Sequence, residues 1–156
     1  MSDHKHQLPP LGEAVYELPD FTIYKQETDH TCGPAAVRMA LDFLGLKVSE
    51  HEIARRCLTH PVGTLHWTLR AGFNHFLRKI GYTVRMTGND KNIYAHIVKQ
   101  LELALPTIFI YATIDEFHPP KKVTHYGVII GINEPSGTIK FANPFGRIDE
   151  MPVTEW

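Results

Sequence analysis

The chain has 156 residues, with 16 Lys+Arg against 17 Asp+Glu and a net charge of -1, which fits one domain able to bury about two-thirds of its unfolded surface. So balanced a charge offers no footprint for nucleic acid and no polybasic membrane patch. No apolar run approaches the roughly 18 to 20 residues that span a bilayer, so no transmembrane segment is expected.

Residues 1–20 contain three prolines and little periodicity, and read as an extended N-terminal arm ahead of a single domain over 21–156. No apolar stretch follows a basic start, so no secretion signal is visible and a cytoplasmic, reducing setting is expected. "FTIYKQ" reads as a short strand or extended entry. A helix is predicted from Cys32, with Thr31 as cap, Pro34 in the first turn, an apolar stripe of Val37, Ala40, Leu41 and Leu44, and Gly45 as the stop. Ser49 and Glu52 have capping-box spacing ahead of a short helix running to Cys57. Leu69, Phe73, Phe76 and Ile80 recur at helical intervals, predicting a third helix over Leu65 to Ile80, capped by Thr64 and stopped by Gly81.

"YTVRMT" is a strand candidate, and Asp90 can cap a helix carrying Ile93, Ile97, Leu101 and Leu105. Beyond Pro106 the pattern turns to strands: "TIFIYAT", "HYGVIIGIN" and "TIKFAN", the last two joined through the turn-forming "EPSG". A helical front and a sheet-forming back make an α+β arrangement in two layers.

Cys32 carries the first chemical signal. A thiol attacks as its thiolate, and the unpaired N–H groups and dipole of a helix start favour negative charge there. Thiol-based acyl transfer also needs a base, a group that orients it, and donors for the oxyanion. His125, at the mouth of a buried strand, is the candidate base, Asn143 the candidate orienter, and Gln26 the candidate oxyanion donor with the Cys32 N–H. Mirror pairing about "EPSG" would leave Asn143 about 10 Å out of line with His125, so a bulge or a looser turn is required. Gly33 is expected to leave the sulfur open, and Cys32 to have a depressed pKa.

The order Gln26, Cys32, His125, Asn143 resembles that of papain-like cysteine peptidases. "QETDHTCGPAAVRM" is similar to the opening motif of the C39 peptidases, including the bacteriocin-leader processing domains: a glutamine six residues before the cysteine, Gly after it, then Ala35 and Met39. "THYGVIIGIN" and "IKFANPFG" resemble the family's histidine strand and its Asp-Pro or Asn-Pro strand, so the likeness runs from about Tyr24 to Phe145. The resemblance implies a papain-like fold, a peptide or protein substrate and no cofactor. It also implies Cys32 as nucleophile, His125 as base and acid, Asn143 as orienter and Gln26 as oxyanion donor, with Gly63 and Thr64 facing the cleft as substrate contacts. Thr31 and Asn143 stand where many members have Asp, and a double-glycine leader specificity is not carried over. Acyl transfer or deamidation on the same site, and a non-catalytic peptide-binding module, are the alternatives.

The remaining signals are weaker. Cys57 has neither a helix start nor a glutamine beside it and reads as a core thiol, expected to titrate normally or to be buried and inert. Trp67, Phe73 and Phe76 read as core positions, and His118 as a solvated loop residue. The 10 histidines invite a metal reading around Cys57, His60 and His66, but the spacing matches no paired zinc-ligand pattern, so no metal is expected. Oligomeric state is left open by the sequence.

Overall fold

A computed structural model of the chain describes residues 10–88 and 92–155. Its elements are β1 (Val15–Glu17), α1 (Cys32–Phe43), α2 (Glu50–Arg56), α3 (His66–Leu77, continued by a 3-10 turn over Arg78–Ile80), α4 (Ile93–Glu102), β2 (Thr107–Ile114), β3 (Lys122–Asn133), β4 (Thr138–Asn143) and β5 (Arg147–Pro152), with a last 3-10 turn over Val153–Glu155. Helices precede the main sheet strands, giving the α+β layering expected.

Local chemistry accounts for the helix limits. α1 has an alanine-rich face whose Val37, Ala40 and Leu41 are fully buried, and Gly45, at φ +91°, turns the chain out of the helix in the left-handed region. The Ser49 hydroxyl accepts from the Glu52 N–H at 3.2 Å, capping α2. Thr64 does not cap α3: the N-cap is Leu65, without a side-chain bond, and the Thr64 hydroxyl pairs with that of Thr59 at 2.8 Å. "YTVRMT" forms no strand. The N–H of Val84 donates to the side chain of Asn74 at 2.8 Å, tying the segment to α3 instead of to a sheet. Asp90 lies outside the described residues; α4 has Asn92 as N-cap.

All five strands form one antiparallel sheet in the order β1-β3-β4-β5, with β2 also on β3. β2 runs along Lys122 to Ile129 and β1 along Gly131 to Asn133. β4 occupies the opposite edge from Val128 onward, so the first half of β3 has no strand on that side. Residues His125 through Ile132 of β3 are all buried. α1 packs against this strand, while Phe109, Tyr111 and Phe141 make an aromatic cluster with centroids 5.1 to 5.2 Å apart.

One irregularity controls the site. Near the hairpin Asn133 pairs with Thr138 and Gly131 with Lys140, but further on Ile129 pairs with Phe141 and Val128 with Ala142, leaving Ile130 unpaired in a bulge. Side chains alternate faces along a strand, so this extra residue changes the parity of everything beyond it. Unbulged pairing would set Asn143 opposite Val128, on the face away from His125. The bulged register continues to Asn143 opposite Gly127, on the same face as His125.

Gly127 leaves room there. A Cβ at this position would stand 2.8 Å from the Phe109 ring and 3.2 Å from the rings of Tyr111 and Phe141. Gly127→Ala is expected to destabilise the fold by about 1 to 3 kcal/mol through overpacking. Urea unfolding followed by fluorescence measures this, and an unchanged midpoint would show that the aromatic cluster can yield.

Candidate active site

Cys32 is the first residue of α1 and is partly buried. Thr31 precedes it, but its hydroxyl is turned away: it accepts from the Thr28 N–H at 3.1 Å and lies 3.0 Å from the Thr28 hydroxyl. With Pro34 next in line and lacking an N–H, the first-turn amides remain for the sulfur. Backbone N–H groups of Tyr126, Gly33 and Cys32 act to lower the pKa of the thiol. The Tyr126 amide belongs to β3, immediately after His125, so the helix start meets the stretch of β3 that β4 leaves uncovered.

Gly33 serves packing instead of access. A Cβ there would meet Leu69 at 3.0 Å and Thr64 at 3.3 Å, so its small size lets α1 close against the loop before α3. In that loop Gly63 has φ +114° and exchanges backbone hydrogen bonds with His60. Thr64 sits beside Gly33, and its carbonyl accepts from the Tyr126 hydroxyl at 2.8 Å.

His125 is 2% exposed. Its ring is stacked on Phe145, with centroids 4.1 Å apart and planes 20° apart, and edge-on to Tyr111 at 5.5 Å. Nε2 lies 3.1 Å from Asn143 Oδ1. That oxygen also accepts the Phe145 N–H at 2.9 Å, an Asx turn in the "NPFG" sequence whose Gly146 closes the bend at φ +93°. Because Oδ1 cannot donate, His125 Nε2 must carry the hydrogen, which leaves Nδ1 bare in the neutral ring.

Gln26 is attached to the same turn, its backbone N–H donating to the Pro144 carbonyl at 2.7 Å. Its side-chain Nε2 donates to the Thr28 carbonyl at 2.7 Å, and its Oε1 is buried with no hydrogen-bond partner among the described residues. Nearby, the buried Glu50 carboxylate accepts the Glu27 N–H at 2.8 Å and so pins the loop between Gln26 and Cys32. Sequence reasoning passed over Glu50, Phe145 and Asp149. Only Phe145 left a trace, as the third residue of an Asn-Pro-x-Gly turn.

Burial dominates the electrostatics. It pushes the Cys32 thiol up from 9.0, outweighing the three N–H contacts, so the depressed pKa expected of a helix-start thiol is not found. Burial likewise lowers His125 from 6.5, with the Asn143 hydrogen bond opposing. Both shifts favour the neutral forms, a thiol at Cys32 and an imidazole at His125. Cys57 is fully buried, pushed up to about 12 by burial alone, and packed under Gly72.

Other expectations divide. Phe73 and Phe76 are buried, but Trp67 is 56% exposed, because α3 turns that position away from the core. His118 is largely exposed and pairs with Asp115 at 3.0 Å. Among the described residues no group of three His, Cys, Asp or Glu side chains could hold a metal ion, and no helix is long and apolar enough to cross a membrane. A cavity of about 1110 Å³ lies between α3, α4 and β2. Cys32, His125 and Asn143 do not line it, and it approaches them through Tyr111 and Tyr126.

Comparison with known proteins agrees with this architecture. The model of the Peptidase_C39 like family matches residues 18–154. Among solved structures, a Bacillus anthracis protein described as a C39-like peptidase superposes with a TM-score of 0.70 at 16% identity, covering 91% of this chain and 90% of that one. The peptidase domain of Streptococcus ComA, a bi-functional ABC transporter of a quorum sensing pathway, gives 0.63 at 17% identity, covering 85% and 87%. No curated protein sequence matches. At these identities the structural likeness establishes a papain-like, C39-like fold.

The paired shifts have a consequence for pH dependence. With His125 held below 6.5, the unfolded chain binds the extra proton, so stability falls as pH drops through about 6.5. With Cys32 held above 9.0, the unfolded chain loses its proton first, so stability falls as pH rises past about 9. A plateau between the two is expected in thermal unfolding. Iodoacetamide labelling of Cys32 in the free protein is expected to climb with pH, with Cys57 unlabelled until unfolding. A Cys32 labelling rate already level below about pH 7 would mean a preformed thiolate.

Proposed function

Because the chain belongs to the Peptidase_C39 like family, we propose that it is a cysteine peptidase that cleaves a peptide or amide bond through a thioester on Cys32. The hydrogen bond from His125 Nε2 to Asn143 Oδ1 at 3.1 Å carries this reading, since it leaves Nδ1 as the basic nitrogen. The sulfur, supported by the Tyr126 N–H next to His125, stands at the helix start.

In this mechanism Nδ1 takes the Sγ proton as sulfur bonds to the scissile carbonyl carbon, and the displaced π pair settles on oxygen. The Cys32 N–H and the second Nε2 hydrogen of Gln26, the one not given to Thr28, stabilise that oxyanion. Collapse breaks the C–N bond, and the imidazolium returns its proton to the leaving amine. Water then attacks the thioester, giving one proton to Nδ1, which passes it to the departing sulfur. Since the resting pair is neutral, proton transfer accompanies attack instead of preceding it, and His125 acts as a true general base. Gly63 and Thr64, beside Gly33, form the adjoining wall for substrate.

Retention of Cys32, His125, Asn143 and Gln26 together weighs against a non-catalytic peptide-binding module. Acyl transfer or deamidation would use the same thioester with a different acceptor or donor.

Cys32→Ala is expected to abolish turnover, and Gln26→Ala to reduce it by about a hundredfold with a small change in KM. A peptide library digested by the wild type and read by mass spectrometry measures both once a substrate is found. Before that, a peptidyl electrophile should label Cys32 in the wild type and much less in His125→Ala. Labelling by iodoacetamide but not by any peptidyl electrophile would count against a peptidase.

A further inference from the structure

The amide nitrogen of Asn143 has a partner that the proposed mechanism does not use. Nδ2 donates to Asp149 Oδ2 at 2.6 Å. β4 and β5 pair Asn143 with Arg147 and Phe141 with Asp149, so Asn143, Arg147 and Asp149 share one face. That is the face the Ile130 bulge gives to Asn143 and His125. The carboxylate is itself held: Arg147 Nε donates to both Asp149 oxygens, at 2.9 and 3.0 Å, and the Arg147 guanidinium also pairs with Glu116 in the loop after β2.

An asparagine amide is nearly symmetrical in shape, and the two ends differ only in hydrogen bonding. Rotated by 180°, Nδ2 would face the Phe145 N–H and the His125 Nε2–H, two donors, while Oδ1 would face a carboxylate. The His125 ring would then be drawn to expose a bare Nε2 and carry its hydrogen on Nδ1, the wrong nitrogen for a base. Phe145 opposes that rotation from one side and Asp149 from the other. Asn143 is 2% exposed, so its Nδ2 needs an internal acceptor, and Asp149 is the one supplied. A surface pair of Asp149 with Arg147 alone would contribute little; the short bond to a buried amide gives the carboxylate a further role.

We infer that Asp149 is a positioning residue that acts through Asn143, locking the amide so that Oδ1 faces His125 and Nδ1 is kept free for Cys32. The inference about turnover rests on the peptidase reading above; the inference about the imidazole tautomer does not.

The test uses the full-length protein with ¹⁵N-labelled histidine. In the wild type above about pH 7, His125 should give a protonated Nε2 and an unprotonated Nδ1 signal. Asp149→Ala should mix the two tautomers and lower kcat by about tenfold with KM nearly unchanged, on the scale of other orienting partners. Asp149→Asn, which keeps an acceptor oxygen, should fall between. Asn143→Asp alone sets two carboxylates in contact and should be the worst variant. Asn143→Asp with Asp149→Asn exchanges the groups and should recover the Nε2–H tautomer and most of the lost turnover, and it serves also if Asp149→Ala fails to fold. A wild-type Nδ1–H tautomer would overturn the inference. So would Asp149→Ala that only lowers Tm, with tautomer and kcat intact, or a double variant no better than Asn143→Asp. If the tautomer responds as expected but the wild type cleaves no peptide, the positioning role stands and the peptidase reading fails.

Discussion

One unpaired residue in β3 decides which groups can meet. Ile130 interrupts the ladder between β3 and β4, and because strand side chains alternate with a period of two, that single insertion moves Asn143 from one face of the sheet to the other. His125, Asn143, Arg147 and Asp149 consequently project on one face. The bulged residue is also used: its carbonyl accepts the Leu18 N–H at 2.7 Å, so the segment following β1 secures the irregularity. Without it, "HYGVIIGIN" and "TIKFAN" would still be strands, but the histidine and the asparagine would be separated by the sheet.

From that register the "NPFG" turn gathers the rest. Asn143 Oδ1 takes the Phe145 N–H and faces His125 Nε2, the Phe145 ring covers the imidazole, and the Pro144 carbonyl receives the Gln26 N–H. Four consecutive residues therefore fix the His125 imidazole, its tautomer and the segment that leads to Gln26. Tyr24 adds a second anchor, donating to Asp42 on α1 at 2.8 Å, so the segment entering the loop from Gln26 to Cys32 is tied to α1 as well as to the turn.

The electrostatics follow from enclosure. Helix-start amides and the Tyr126 N–H do favour a thiolate at Cys32, but a half-buried sulfur loses more hydration than they replace, and a ring packed between Phe145 and Tyr111 loses the hydration of its cation. In the proposed mechanism this neutral pair reacts only when a substrate supplies the carbonyl carbon and the proposed oxyanion donors take up the charge. The large cavity beside Tyr111 and Tyr126 stands apart from these steps and contains none of the proposed catalytic groups.

Local chemistry alone placed α1 at Cys32, the Ser49 cap, the amphipathic helices around Phe73 and Ile97, and the three strands after Pro106, because each rests on short-range periodicity or backbone sterics that the residues carry with them. The motif around Cys32 and its likeness to the C39 peptidases were readable for the same reason, being contiguous. Less was legible where a residue's partner is distant. Val84 was lost to a sheet by Asn74, Trp67 lay on the wrong side of its helix, Thr31 turned from capping to Thr28, and the direction of the Cys32 shift reversed on burial. Asp149 gave no signal at all. Its contact with Asn143 is set by the pairing of β4 with β5, and its connection to His125 by a bulge 19 residues earlier in β3. Spacing along the chain determined which chemical groups this protein has and which elements bear them; parity across the sheet and loss of water, which exist only once the chain has folded, decided which of those groups face one another and in which protonation state.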